Sequence, residues 1–583
     1  MKTHRTTQTR RRAETLPLVF RSMNSGKGAV LRIIPVGGVE EVGRNMTILE
    51  YQNDIIIIDM GLQFPEEDMP GIDYIIPNIS YLLPKRQNIR GIIITHAHYD
   101  HIGGIPHLIP QLGERIPLYA TDITCAIIKR RQEDYKHYGT KLNINTVKND
   151  TKLTLGAFKI ELFGVSHNVP GSVGVMVHTP HGIIVHTGDF KIDLKSDISG
   201  RTEVEKIRAL GRKNVLALLS DSTNAREAGH QFSEQDIKVE LEEIIRDAKG
   251  RLIIGTFSSL LGRLNQIVQL AEKYKKKVVI AGHSMKVNIE IAQQLGYMRF
   301  DRKTIIPVQD VERYPPDRII ILATGAQGED RAVLMRLANR EHRDLEIQAG
   351  DTVVFSSSVI PGNERTVQRL TDKLYREGAD VINYRMLDIH AGGHAKREDL
   401  KQMVQWVNPK YLIPIEGNHS FLKMHAKAVM ETGFPANRII IADNGQVIEA
   451  RDGEVKLSDE RIAANYVFVD GLGVGDVGEV VLRDREALSK DGMFVIIAIV
   501  DSQTGKLRGS PDIISRGFIY LRESQDFLKE VRKKIRDIIE ESATPTETLN
   551  PQYIRDNLRD RIGQFLFSKT ERRPMVLPVV IEV

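Results

Sequence analysis

The segment THAHYDHIGG, Thr95 to Gly104, follows directly on the apolar run GIII and crowds His96, His98, Asp100 and His101 into six residues. A short β-branched run of that kind reads as a buried strand, so the four side chains fall on a loop at a strand end. Imidazoles and a carboxylate held there need partners for their polar atoms, and a divalent cation satisfies several at once. A single loop cannot close two metal positions, so the fold must bring further ligands to the same point from other strand ends. His167 in GVSHNVPGS and Asp189 in HTGDFK each follow an apolar run, and Asp189 is placed to bridge two cations through its two oxygens. Taken alone, either would read as a turn residue. Asp59, closing DIIIIDMG, reads as an acceptor that supports the histidine loop rather than as a ligand. The one cysteine, Cys125, excludes an internal disulfide and a thiolate zinc cluster, which leaves His, Asp and Glu as ligands and fits a reducing cytoplasm.

From Leu31 to Asp221 the runs LRIIPV, MTILEY, DIIIIDMG, GIIITH, FKIELFGV, VGVMVHT, GIIVHTGDF and VLALLSDS recur at turn-bounded spacing. They predict a β-sandwich with helices on its outer faces and its chemistry at the strand ends. Between Gln231 and Ala379 strands (RLIIGTF, KKVVIAG, RIIILATG, DTVVFSS) alternate with helical segments at Gln235 to Asp247 and Leu264 to Lys275, the pattern of an inserted α/β domain with a parallel sheet. DVINY, KYLIPIEG and RIIIADNGQVIEA then resume the first pattern. The last unit is predicted to hold strands at FVIIAIVD and GFIYLRE, helices over Ser524 to Glu541 and Ile554 to Leu566, and a closing strand from Val576 to Val583. The resulting division is a first domain over 28–230 completed by 395–455, an insertion over 231–394, a linker over 456–485 and a C-terminal α/β domain over 486–583.

With 583 residues, 41% hydrophobic and 27% charged, the chain has the size and balance of a multidomain globular protein. Its longest apolar runs, such as Ile55 to Ile58 and Val495 to Val500, fall far short of the ~20 residues that cross a bilayer, so a soluble protein without a membrane span is expected. The net charge of +5 is located in residues 1–27, where seven basic residues (Lys2, Arg5, Arg10, Arg11, Arg12, Arg21, Lys27) face one acid, Glu14. That tail, +6 by itself, reads as a disordered basic arm able to touch polyanions, rather than as a transit peptide, since it lacks an apolar helical face. The body is left at −1, so contact with a nucleic acid must come from a local groove.

HxHxDH followed by a lone His and a lone Asp resembles the signature of the metallo-β-lactamase superfamily. Asp221 in LLSDSTNA and His394 in DIHAGGHA resemble the acid and histidine of its β-CASP nuclease branch. TGAQGEDRAVLMRLAN, SSSVIPGNE, VFVDGLGVGDVGEVVLRDR, GSPDIISRGF and RRPMVLPVVIEV resemble the ribonuclease J family, and the likeness runs from about Leu31 to Val583. It implies an αββα metallo-β-lactamase sandwich, an inserted β-CASP α/β domain forming one wall of an RNA groove, and a small C-terminal α/β domain. The implied activity is 5′→3′ exonuclease and endonuclease cleavage of RNA, with 5′-monophosphorylated RNA as substrate, in rRNA processing and mRNA decay. Similar proteins are homodimers or homotetramers assembled partly through the C-terminal domain. The resemblance makes His96, His98 and His167 ligands of one metal, Asp100 and His101 ligands of the other, and Asp189 the bridge. Zinc is the implied ion, with manganese or magnesium an alternative at the second position. It also makes Phe257, Ser258 and Ser259, and the turn His390, Ala391, Gly392, Gly393 and His394, contacts to substrate phosphate, and it suggests a structural cation, calcium, near Gly71, Asp73 and Asp470.

Three positions depart from that pattern. Tyr99 stands where the histidine loop has Glu, Gly392 stands where the phosphate turn has Ser, and IPIEGNH places Glu416 where a PxHGE turn supplies a seventh ligand, with His419 three residues on. Glu416 is expected to ligate the second metal, with His419 as the rival, and an oxygen donor there favours harder ions. The chemistry suits a phosphodiester: two cations ~3.5 to 4 Å apart generate hydroxide at neutral pH and clamp the phosphate. His394, polarised by Asp221, can protonate the leaving oxygen, although read without the family it would be a simple turn residue. A DNA-directed β-CASP nuclease, a small-molecule metallohydrolase and a metal-binding scaffold without catalysis are the competing readings.

Overall fold

The structure, a computed structural model, describes residues 28–66, 68–195, 202–326, 328–329, 332–357, 363–383, 392–519, 524–542 and 550–583. The basic arm, residues 1–27, and two residues of the phosphate turn, His390 and Ala391, lie outside them.

Two sheets form the expected sandwich. One has eight strands, in the spatial order Glu454–Arg461, Gln446–Arg451, Leu31–Gly37, Met46–Tyr51, Asp54–Ile58, Ile89–Ile93, Pro117–Ala120 and Asn143–Thr146. The other has six: Tyr411–Ile415, Val215–Asp221, Gly182–His186, Val173–Thr179, Phe158–Gly164 and Lys152–Leu155. Their facing surfaces interdigitate through Leu31, Ile33, Leu49, Ile56 and Ile93 against Phe158, Ile160, Val175, Ile184, Ala217, Leu219 and Ile413, all buried. Alternation of such residues along each strand is what turns one face inward.

Parallel pairing positions the chemistry. Asp54–Ile58 runs parallel to Ile89–Ile93, so Asp59 and the Thr95 to His101 loop leave the sheet side by side. In the second sheet Gly182–His186, Val215–Asp221 and Tyr411–Ile415 are parallel neighbours, with His186 opposite Leu219 and Asp221 opposite Ile415. The carboxyl ends of these strands therefore deliver Asp189, Asp221 and Glu416 to one edge, the place where α/β sheets present ligand sites.

The insertion is a five-stranded parallel sheet in the order Lys277–Ile280, Ile319–Ala323, Leu252–Gly255, Thr352–Phe355 and Asp380–Asn383. Its helix Glu234–Asp247 starts on a capping box, Ser233 with Asp236. Residues 456–485, expected as a linker, instead carry most of the edge strand Glu454–Arg461 and the strand Val467–Asp470, which pairs antiparallel with Tyr74–Ile76. In the C-terminal unit a strand forms at Asp512–Arg516; Gly517, at φ +73°, ends it, Gly517 to Ile519 of the expected strand GFIYLRE are not in a strand, and its remaining residues, 520–523, lie outside the described residues. Met493–Val500 is central, antiparallel to Asp512–Arg516 and parallel to Met575–Glu582. Helices Gln525–Ser542 and Pro551–Thr570 cover one face of this sheet through Leu528, Val531, Ile535, Ile554 and Leu558. No helix among the described residues is long and apolar enough to cross a membrane.

Candidate metal centre

At the shared edge His98 Nδ1 lies 3.0 Å from His96 Nε2 and 3.0 Å from His167 Nε2. Asp189 Oδ2 stands 3.5 Å from each of the two Nε2 atoms. Burial drives all three imidazoles below their ordinary pKa, toward the neutral form that can ligate a metal. Three ring nitrogens and a carboxylate oxygen thus converge on one point. A tetrahedral ion with bonds of about 2.0–2.1 Å has ligand–ligand edges of about 3.3 Å, so the group fits such an ion. The tautomer of His167 is fixed from behind, because its Nδ1–H donates to the Gly393 carbonyl at 2.7 Å. A Cβ on Gly393 would come within 2.6 Å of the His167 ring, so the approach requires glycine.

A second group shares Asp189. His101 Nε2 is 3.2 Å from Asp189 Oδ1 and 3.5 Å from Asp100 Oδ2. Its Nδ1–H donates to Asp59 Oδ2 at 2.8 Å, and Asp59 also accepts from the Thr95 N–H and hydroxyl, both at 2.8 Å. Burial alone would lower His101, but Asp189, Asp100 and Asp59 outweigh it and raise the imidazole well above its ordinary value. Asp189 Oδ1 has no hydrogen-bond donor. Neither does either oxygen of Glu416, which is buried beside Asp189; burial, then repulsion from Asp189, pushes its carboxyl well up. Two acidic groups pressed together in a dry site, one raised by the other and, when protonated, hydrogen-bonded to it, are an arrangement a cation relieves by taking the place of the proton.

His394 lies on the opening, 24% exposed, its Nε2 3.8 Å from Asp189 Oδ2 and its Nδ1–H donating to Asp221 Oδ2 at 2.9 Å. Asp221 Oδ1 accepts from the Thr223 N–H and hydroxyl, which fixes its plane. Burial opposes an imidazolium at His394, but Asp221 and Asp189 raise it to about 9.

The structure thus brings His96, His98, Asp100, His101, His167, Asp189, Asp221, His394 and Glu416 to one edge. His419 is elsewhere: its Nδ1 pairs with Glu40 Oε1 at 2.8 Å and the side chain is 51% exposed, which removes it as rival to Glu416. Of the FSS turn, Ser259 contacts His98 Nε2 through its hydroxyl at 3.0 Å, and the Ser258 carbonyl accepts from Asn288. Gly71, Asp73 and Asp470 do lie together, but Arg485 donates to the Gly71 carbonyl and pairs with Asp470 at 2.5 Å, while Asp73 accepts from Gly471 N–H. The positive charge at that cluster comes from the chain itself. Sequence reasoning missed Asn45, whose Nδ2 is 2.9 Å from His101 Nε2, and Gln231, which donates to the His394 carbonyl. Neither stands in a motif, and each is brought in by tertiary packing.

Family models match four stretches: "Beta-lactamase superfamily domain" over residues 70–220, "Ribonuclease J, beta-CASP domain" over 249–374, "Zn-dependent metallo-hydrolase RNA specificity domain" over 381–441 and "Ribonuclease J C-terminal domain" over 480–583. Ribonuclease J2 of Bacillus subtilis is 38% identical over 95% of this chain and 99% of its own length. Ribonuclease J 1 of Streptococcus pyogenes is 37% identical over 94% and 97%. A solved Enterococcus faecalis protein of unknown function shares the fold at a TM-score of 0.51 and 16% identity, covering 74% of this chain and all of its own. With near-complete coverage at these identities, the chain belongs to the ribonuclease J family.

Proposed function

We propose that this chain hydrolyses RNA phosphodiesters with two divalent ions, as a 5′→3′ exonuclease and endonuclease in RNA maturation and decay. The observation that carries the reading is the shared carboxylate: Asp189 serves both ligand groups and lies 3.8 Å from the Asp221-polarised His394. Bound there, the ions would activate water and offset charge on the phosphate. The rest is the work of side chains. His394 presents Nε2 to the opening and carries the proton that the leaving 3′-oxygen needs, while Asp221 and Thr223 hold the ring in the orientation that donates it. Ser259, on the turn before helix Leu261–Lys273, brings the inserted domain to His98, so an RNA strand in the groove between the domains meets the centre.

Zinc is the proposed ion at the three-histidine group. The buried free thiol of Cys125 supports a reducing cytoplasm as the site of action. Assembly as a homodimer or homotetramer is supported by the C-terminal sheet, whose second face exposes Ile499, Ile514, Leu577, Val579 and Ile581. Matched 5′-monophosphate RNA and DNA oligomers, assayed with EDTA and metal add-back, test the reading. RNA cleavage restored by metal is expected; cleavage of DNA alone, or of neither, would overturn it.

A further inference from the structure

We propose that the two metal positions are chemically unlike, with zinc at His96, His98 and His167 and a harder ion such as manganese at Asp100, His101 and Asp189, the second position being closed by Glu416. This rests on the two-metal reading above. The first position offers three imidazole nitrogens and one carboxylate oxygen, a set suited to zinc. The second offers one imidazole, His101 Nε2, with the carboxylates of Asp100 and Asp189, a set already suited to manganese or magnesium, and Glu416, which lies beside Asp189, is assigned as a third oxygen donor.

The assignment of Glu416 stands on geometry. Asp221 is opposite Ile415 in the parallel register, so the next residue, Glu416, leaves the sheet beside Asp221. It turns there in the left-handed region, φ +57°, a conformation a non-glycine residue holds only when its surroundings impose it. The backbone is tied down: its carbonyl accepts from Ser222 N–H and from the Thr223 hydroxyl. The side chain is 5% exposed, and neither oxygen has a donor. The small cavity it lines, with Gly38, Asn45, Asp59 and His186, contains no lysine or arginine. Asp189 Oδ1 is equally without a donor. An ion between Asp189 and Glu416 is the partner that completes both, and Asp100, 35% exposed, keeps that position open to solvent and substrate.

The test uses the full chain, stripped with chelator and equilibrated with zinc buffered low and manganese in large excess. Bound metal is then read by elemental analysis and manganese by electron paramagnetic resonance. Equal amounts of zinc and manganese per chain are expected. Glu416→Gln, which keeps the shape, should lower retained manganese about ten-fold or more and leave zinc unchanged, while Glu416→His should exchange manganese for zinc. Circular dichroism checks that each variant is folded. Zinc at both positions of the parent, or manganese unmoved in Glu416→Gln, would overturn the assignment while leaving two bound metals. A parent that binds no metal would overturn the two-metal reading along with it.

Discussion

At the scale of single residues, the centre is built from side chains whose second functional atom is already engaged. His101 spends Nδ1–H on Asp59, His167 spends its own on Gly393, and His394 spends its own on Asp221, so in each case Nε2 is left for the site. Such outer contacts fix tautomer and orientation. His394→Ala should slow cleavage about 10²- to 10⁴-fold, the usual worth of a general acid, with bound metal unchanged; parallel loss of metal would make His394 a ligand. The partner makes a sharper case. Asp221 is the foremost of the carboxylates that raise His394 to about 9, and a general acid fails as pH rises through its pKa. Asp221→Asn should therefore move the alkaline limb of the pH–rate profile to lower pH, and an unmoved limb would separate His394 from proton donation. Most of these residues were legible in the sequence because ligating types crowd behind apolar runs. Asn45, Thr223 and the Gly393 carbonyl were not, since an amide, a hydroxyl and a backbone oxygen carry no pattern until packing brings them in.

Among the elements, one turn couples the two domains. In residues 189–193, Asp189 faces both ligand groups and the Phe190 carbonyl accepts from Ala395 N–H, next to His394. Lys191 pairs with Glu234 of the insertion at 2.9 Å, and Asp193 accepts from Ser233 and from Glu234 N–H. Arg263 pairs with the other Glu234 oxygen at 2.9 Å, and all three charged side chains are buried. Burial opposes the Glu234 carboxylate, but Arg263 and Lys191 overcome it and bring its pKa down to about 2. A carboxyl depressed in the folded state contributes stability above its unfolded pKa of about 4.3 and loses it as pH falls toward 2. Glu234→Leu, which strands two buried cations, should cost about 3–5 kcal/mol in denaturant unfolding near neutral pH, with the difference from the parent shrinking in acid. A cost below about 1 kcal/mol would mean that the network contributes nothing the domains need. Alternation of strands and helices announced the insertion, but Lys191, Glu234 and Arg263 are ordinary surface types that nothing in the chain marks as an inter-domain contact. The strand Asp512–Arg516 was not legible in the sequence for a similar reason: the apolar content after Gly517 outweighs the glycine, whose positive φ ends that strand.

For the whole molecule, the chain divides its apolar surface unevenly. The C-terminal sheet buries one face under two helices and leaves a second apolar face exposed, larger than scattered surface residues would give. If that face carries assembly, Leu577→Asp together with Val579→Asp should reduce the mass measured by light scattering while leaving the circular dichroism unchanged; an unchanged mass would place assembly elsewhere. The central claim concerns the shared edge of the sandwich, where Asp189 joins two ligand groups beside a proton donor. It is tested most directly by stripping metal from the full chain and following cleavage of a 5′-monophosphate RNA as metal is returned, for the parent and for Asp189→Ala. The account predicts that the parent loses cleavage with its metal and regains it, and that Asp189→Ala, though folded, binds less metal and cleaves no RNA at any metal level. Near-parental cleavage by Asp189→Ala with metal bound would contradict it.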